Sequence, residues 1–317
     1  MSELRFHPFL GEWVITATHR QDRTFFPPDD YCPLCPTRPG GFPTEVPLEQ
    51  YEIVVFENKF PSLSEPPPEP ATEGSPLMPA LPAEGVCEVV CYTSEHDATF
   101  ADLSMERVRR LTRVWRDRFV DLWHRPGIEY VMIFENKGRE IGVTLSHPHG
   151  QLYAYPFVPP TAARRVSNER SHLLENGRSL WEAWLDEEAG GPRVVGRNEA
   201  FVTVVPYFAR YPYEVWVVPL EPVDTLEAMD PRQLDGLAEA LLEVARRYDR
   251  LFGFSLPYMM AMHHAPRGHE GGRFFVEFLP PHRTAEKLKY LAGSEACAGA
   301  FINDTLAEES AARLRDA

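Results

Sequence analysis

The chain lacks an excess of positive charge. Its 32 Lys and Arg face 47 Asp and Glu, for a formal net charge of −15. That balance excludes a general binder of nucleic acid or anionic membrane, which needs a basic face, but it leaves room for a local basic pocket. Long apolar runs are also missing. The strongest, around 201–206 and 214–220, have strand length, far short of the roughly 20 residues a bilayer requires. The first residues, Met1-Ser2-Glu3-Leu4-Arg5, have no apolar segment of the signal-peptide kind. Cysteine is scarce and odd in number, five in 317 residues, which argues against a secreted disulfide framework. These absences together lead to the expectation of a cytoplasmic protein with reduced thiols. The length suits two domains or two similar halves, and 44% hydrophobic residues are enough for a substantial core.

Proline is what the chain has in excess, 31 residues, with eight of them between positions 61 and 82. Proline fixes φ and removes a donor, so that stretch is expected to be an extended surface loop or an insertion lacking regular structure. Around it, strands and helices alternate. The segments 51–56 and 86–92 read as strands, followed by a helix over 103–123 with Ser104 as N-cap and Val108, Leu111, Trp115, Phe119 and Leu122 on its buried face. Strands follow at 130–134 and 152–155, with a turn at Asn136-Lys137-Gly138. The same order recurs later. Strands at 201–206 and 214–219 precede a helix opened by Asp230-Pro231 and closed by Gly253, then strands at 258–262 and 274–279. The expected fold is α+β: two tandem halves, each an antiparallel sheet with one long helix, joined in one sheet-based subunit. The expected boundaries are 1–160 for the first half, 161–194 for a charged helical linker and 195–317 for the second half.

The pentapeptide His147-Pro148-His149-Gly150-Gln151 is the sharpest chemical signal. In an extended segment His147, His149 and Gln151 share one face. An imidazole can attack phosphorus and form a covalent intermediate, and a carboxamide can donate to a phosphoryl oxygen as charge develops. Glutamine cannot serve as a general acid, so the pattern favours transfer through an imidazole over hydrolysis. Cys32-Pro33-Leu34-Cys35 is half of a zinc site, with His96 and His147 as candidates to complete it. A redox dithiol and two plain thiols are the other readings. Cys87 and Cys91 read as buried core thiols. Arg20 and Arg23 are able to pair with phosphate, although two arginines near a terminus also suit an ordinary solvated surface. His263-His264 falls in the second half, which lacks a double-histidine strand of its own.

With these residues in view, the sequence resembles the galactose-1-phosphate uridylyltransferase family, a two-repeat branch of the histidine-triad superfamily. The resemblance rests on Trp13-Val14-Ile15 with Arg20 and Arg23, Cys32-x-x-Cys35, Glu57-Asn58-Lys59-Phe60-Pro61 and Glu135-Asn136-Lys137-Gly138. It continues through the pentapeptide ending in Gln151, His263 with Ala265-Pro266, and Lys289 with Gly293 and Glu295. It implies histidine-triad-like halves and a nucleotidyltransferase that moves UMP between UDP-glucose and galactose 1-phosphate. His149 would be the nucleophile and Gln151 its partner at the phosphoryl oxygen. Arg20, Arg23, Asn58, Asn136 and Thr144 would line the nucleotide side, and Lys289 and Glu295 would reach the hexose phosphate. Cys32, Cys35, His96 and His147 would hold one structural zinc per chain, and the subunits would form a homodimer. A second metal site found in some members is expected to be absent, because Phe275, Glu277 and Arg165 stand where its ligands would be. Lys59 and the tail after Glu295 depart from the family pattern. The alternative is therefore transfer from an adenine donor such as ADP-glucose to phosphate or a sugar phosphate.

Overall fold

The computed structural model describes residues 2–21, 31–269 and 271–317. In chain order its strands and α-helices are β1 (Ser2–His7), β2 (Glu12–Ala17), β3 (Val54–Glu57), β4 (Ala80–Pro82), β5 (Val86–Cys91), α1 (Met105–Trp123), β6 (Tyr130–Lys137), β7 (His149–Tyr155), α2 (Pro160–Asn176), α3 (Leu180–Glu188), β8 (Val194–Arg197), β9 (Phe201–Val204), β10 (Val215–Pro219), α4 (Pro231–Phe252), β11 (Tyr258–His263), β12 (Phe275–Leu279), α5 (Gly293–Ala298) and α6 (Ala307–Asp316).

Nine strands form one antiparallel sheet in the order β3-β5-β7-β6-β11-β12-β10-β9-β8. The order read outward from its centre repeats: β6, β7, β5, β3 on one side answer β11, β12, β10, β9 on the other. The two halves therefore share a single sheet, joined where β6 pairs with β11 from Tyr258 opposite Lys137 to Met262 opposite Ile133. Each half contributes one long helix to the same face. Ser104 caps α1 by accepting from the Arg107 amide, and Asp230 with Gln233 forms a capping box on α4. Gly253, at φ 76°, ends α4 in the left-handed conformation. The apolar stripe of α1, Val108 through Leu122, is fully buried against the sheet and α4. Each such side chain contributes about 1.5–3 kcal/mol. Arg109–Glu239 at 2.8 Å and Arg113–Asp235 at 2.9 Å tie the two helices at their exposed edges.

The opposite face of the sheet has separate covers. Over the first half lies a three-stranded sheet, β2-β1-β4, whose Leu4 packs with Leu63, Cys87 and Tyr153. Over the second half, α3 brings Trp181, Trp184 and Leu185 onto Val202, Val204, Trp216 and Phe275.

Several local expectations change, and the strand expected at 51–56 is confined to Val54–Glu57. The strand expected at 130–134 runs on through Asn136 and Lys137, because β11 pairs with its far end. The reversal comes at Gly138 (φ 105°), where a Cβ would lie 2.5 Å from Pro257. The strand expected from Leu152 begins at His149, since β5 supplies a partner for that residue at Cys91. The proline-rich stretch does contain a strand: β4 pairs with β1 at the edge of the small sheet, where a missing donor is tolerated. Strands β1 and β8 and helices α5 and α6 were not anticipated.

Candidate functional site

The alternation of β7 sorts its side chains by face. Leu152 and Ala154 enter the core beneath the helices, while Tyr153 packs with Leu4 and Leu63 on the other side. His149 and Gln151 share the Tyr153 face. His149 is half-buried, and its Nδ1 lies 2.7 Å from the His147 carbonyl oxygen. A carbonyl only accepts, so Nδ1 carries the proton and Nε2 keeps its lone pair. Burial lowers the imidazole pKa below 6.5, which keeps the ring neutral and nucleophilic. Gln151 is buried, and its Oε1 accepts from Asn58 Nδ2 at 3.2 Å. That hydrogen bond orients the amide so that the Gln151 NH2 group remains available as a donor.

Gly150 is the residue the packing demands. A Cβ there would meet the Tyr92 hydroxyl at 2.1 Å and the Phe134 carbonyl oxygen at 3.0 Å. Tyr92 is fully buried against the edges of Phe100 and Trp115, and its amide donates to the Pro148 carbonyl at 3.1 Å.

His147 leads into the neighbouring cluster. The ligand atoms of Cys32, Cys35, His96 and His147 all lie within 4.8 Å of one another. Cys35 Sγ is 3.3 Å from His96 Nδ1 and 3.6 Å from His147 Nδ1. Those separations, with two sulfurs and two nitrogens as donors, fit a tetrahedral ion of the zinc type. Both histidines turn Nδ1 inward because their Nε2 atoms are engaged outward: His147 Nε2 donates to the Thr93 carbonyl at 2.8 Å, and His96 Nε2 meets the Ser146 hydroxyl at 3.3 Å. Tyr51, 2.7 Å from His147 Nε2, also donates to the Leu34 carbonyl at 3.1 Å, linking the histidine to the cysteine loop. An ion held here would join three separate segments and immobilise the carbonyl on which His149 rests.

Of the remaining anticipated residues, Arg20 lies near the Tyr153 hydroxyl, where its charge opposes the upward shift that burial gives that group. Arg23 lies outside the described residues. Asn136 and His149 line a cavity of about 50 Å³ together with Gly138, Leu145 and Ser146. Thr144 is half-buried in the loop just before this cavity's Leu145 and Ser146. Lys289 and Glu295 are buried as an ion pair at 3.1 Å, with Lys289 also bonded to the Ile302 carbonyl. The lysine hydrogen bond holds the Glu295 carboxyl down at about 2. A larger cavity of about 810 Å³ sits on the outer side of the metal-type cluster, beside Cys35 and His96, and is rimmed by Glu49, Glu95 and Asp97 as well as Arg38.

In the second half, the face that carries His149 and Gln151 presents Phe275 and Glu277. Glu277 pairs with Arg210 at 2.7 Å, His263 Nε2 at 3.1 Å and Arg165 at 3.5 Å, and Arg165 lies 4.8 Å above the Phe275 ring. Burial opposes the charge on Glu277, but the His263 hydrogen bond and the two guanidinium groups outweigh it and hold the carboxyl well below its usual range. Sequence reading missed Tyr51, Tyr92 and Tyr153 as supports of the site. Nothing in their local pattern separates them from ordinary strand aromatics; only Gly150, a glycine inside a strand, hinted that something approaches closely.

A neutral imidazole with one free lone pair, next to an oriented carboxamide and a Cys2His2 cluster, is the equipment of a group-transfer enzyme, here on a two-half α+β fold. Family comparison is specific. Residues 1–159 match the N-terminal domain of galactose-1-phosphate uridyl transferase and residues 164–317 match its C-terminal domain. The chain is 39% identical over 321 residues to galactose-1-phosphate uridylyltransferase of Thermotoga maritima, covering 100% of this chain and 98% of that protein. A solved uridylyltransferase structure superposes with a TM-score of 0.88 at 29% identity, over 99% of this chain and 97% of the other. An ADP-glucose phosphorylase from Arabidopsis thaliana, solved with bound ADP-glucose, shares the fold at a TM-score of 0.75 and 22% identity, over 100% and 99% of the two chains. The chain belongs to the galactose-1-phosphate uridylyltransferase family and is an enzyme of that kind. Among the described residues, no helix is long and apolar enough to cross a membrane.

Proposed function

We propose that this enzyme exchanges UMP between UDP-glucose and galactose 1-phosphate through a covalent uridylyl-His149. The observation that carries the reading is the His149 Nδ1–His147 carbonyl hydrogen bond at 2.7 Å, which leaves Nε2 as the nucleophile. Nε2 attacks the α-phosphorus of UDP-glucose and forms an N–P bond. The bond to the β-phosphate oxygen breaks, and glucose 1-phosphate leaves with its electron pair. A phosphate oxygen of galactose 1-phosphate then attacks the same phosphorus, and the N–P electron pair returns to Nε2. The covalent step divides one exchange into two displacements at a shared site. Gln151, oriented by Asn58, donates its amide N–H to a non-bridging oxygen as charge builds.

Arg20 and Arg23 bind phosphate, Asn58, Asn136 and Thr144 line the nucleotide side, and Lys289 and Glu295 serve the hexose phosphate. The reading puts the reacting phosphorus at the small cavity, which His149 and Asn136 line together with Lys137. Cys32, Cys35, His96 and His147 hold a structural zinc, one per chain, which supplies rigidity when bound. The division of labour follows the chain: 1–160 carries the nucleophile, 161–194 connects, and 195–317 serves the sugar. The enzyme acts in the cytoplasm as a homodimer.

Intact-protein mass after brief incubation with UDP-glucose and no acceptor tests the route. A UMP adduct on the wild type and none on His149→Ala is the expected result. An adduct formed only from ADP-glucose would replace the uridine donor with an adenine one, and no adduct from either would refute the covalent mechanism.

A further inference from the structure

We propose that Glu135, acting with Tyr92, is a positioning residue for the transfer at His149: the two are buried beneath Gly150 and fix the strand that carries the imidazole and the carboxamide. This rests on the covalent reading above.

Glu135 sits on β6 with 4% exposure, on the helix side of the sheet, while its neighbours Phe134 and Asn136 face the His149 side. The register that sets Phe134 opposite Gln151 sets Glu135 beside Gly150. Tyr258, from β11, donates its hydroxyl to Glu135 Oε1 at 3.4 Å. The other carboxyl oxygen and the Tyr92 hydroxyl are both buried without a hydrogen-bond partner among the described residues, and each lies near enough to act on the other's charge. Two buried polar groups left over from every other network, facing one another, are a matched pair. Tyr92 touches the pentapeptide twice, through its amide to Pro148 and through its hydroxyl over Gly150. The carboxyl thus holds the group that presses on the strand backbone.

The pair also has a charge to offer. When Nε2 bonds to phosphorus, Nδ1 keeps its proton on the His147 carbonyl, so the imidazole becomes cationic. An ionised Glu135, on the neighbouring strand β6 beside Gly150, stabilises that cation through low-dielectric protein, and a protonated one does not. The groups facing the carboxyl are Tyr92 at the end of β5, Tyr258 on β11, Lys137 on β6 and Asp249 on α4, the last two paired at 3.0 Å; α1 packs Trp115 against the Tyr92 ring. Burial raises the Glu135 pKa to about 7, with Lys137 and the tyrosine hydroxyls pulling it down.

The experiment is the single-turnover rate of adduct formation from UDP-glucose between pH 5.5 and 8.5, for the wild type, Glu135→Gln and Tyr92→Phe, each checked for folding by thermal melting. The wild-type rate is expected to fall as pH drops through about 7. Glu135→Gln should lose that step and run about tenfold slower at pH 8, with the half-saturating UDP-glucose concentration unchanged. Tyr92→Phe, having lost the buried hydroxyl near the carboxyl, should move the step to higher pH. A folded Glu135→Gln that keeps the wild-type rate, or keeps the step near pH 7, overturns the proposal while leaving the covalent route intact. A wild type that forms no adduct overturns the covalent reading itself, and this inference with it.

Discussion

Replacing Gly150 with alanine inserts one methyl group where the structure has no room for it. The new Cβ would stand 2.1 Å from the Tyr92 hydroxyl, 3.0 Å from the Phe134 carbonyl oxygen and 3.1 Å from Tyr92 Cζ. The tyrosine cannot swing aside, because Phe100 and Trp115 pack edge-on against its ring at 5.8 and 5.7 Å. Nor can β7 drop, since β5 and β6 hydrogen-bond it on both sides. Overpacking a core by one methyl typically costs 1–3 kcal/mol, and a contact this short between immobile groups belongs at the upper end, about 3 kcal/mol. For a chain of this length that lowers the melting temperature by about 4–5 °C. The larger effect falls on catalysis, because β7 carries His149 and Gln151. A shift of about 1 Å in a reacting group costs on the order of a hundredfold in rate. Urea unfolding, thermal melting and exchange assays measure the two effects. Tyr92→Phe in the same chain removes the closest atom and should return most of the lost stability. Gly150→Ala within about 0.5 kcal/mol of the wild type and within twofold of its rate would refute the reasoning, as would a double variant no more stable than the single one.

Prolonged treatment with a chelator that extracts zinc should lower the melting temperature and free Cys32 and Cys35 for thiol reagents. Metal analysis should find about one ion per chain before treatment, and a preparation without metal that melts normally would count against the structural role. Acid stability should report His264, which is buried, stacks on Phe119 at 4.3 Å and donates Nδ1–H to the Val131 carbonyl. Burial pushes its pKa down to about 3, against 6.5 for a solvated histidine. The unfolded chain therefore binds the proton first, so this contribution is complete above pH 6.5 and is lost as pH falls toward 3, at up to about 1.4 kcal/mol per pH unit. His264→Asn, which keeps a donor for Val131, should have a shallower loss of unfolding free energy between pH 6 and 4; an unchanged slope would exclude this histidine as its source.

The parts of the protein legible in its sequence are those decided within a few residues. Alternation put His149 and Gln151 on one face because a strand repeats every two residues, whatever it pairs with. Ser104 and Asp230 marked helix starts because capping is a contact between neighbours. The repeated order of strands and helices was visible for the same reason. Tertiary structure decided what depends on distant partners. β6 extends to Lys137 only because β11, more than a hundred residues later, lies against it. β7 opens at His149 because β5 reaches that far. His96 and His147 lie 61 and 112 residues after Cys35, and the folded chain supplies the Thr93, Ser146 and Tyr51 contacts that turn both Nδ1 atoms inward. The charge state of Glu135 is the clearest case. In the sequence it is one glutamate among many, and its proton affinity is set by the water removed around it and by hydroxyls from β5 and β11, which no local pattern records.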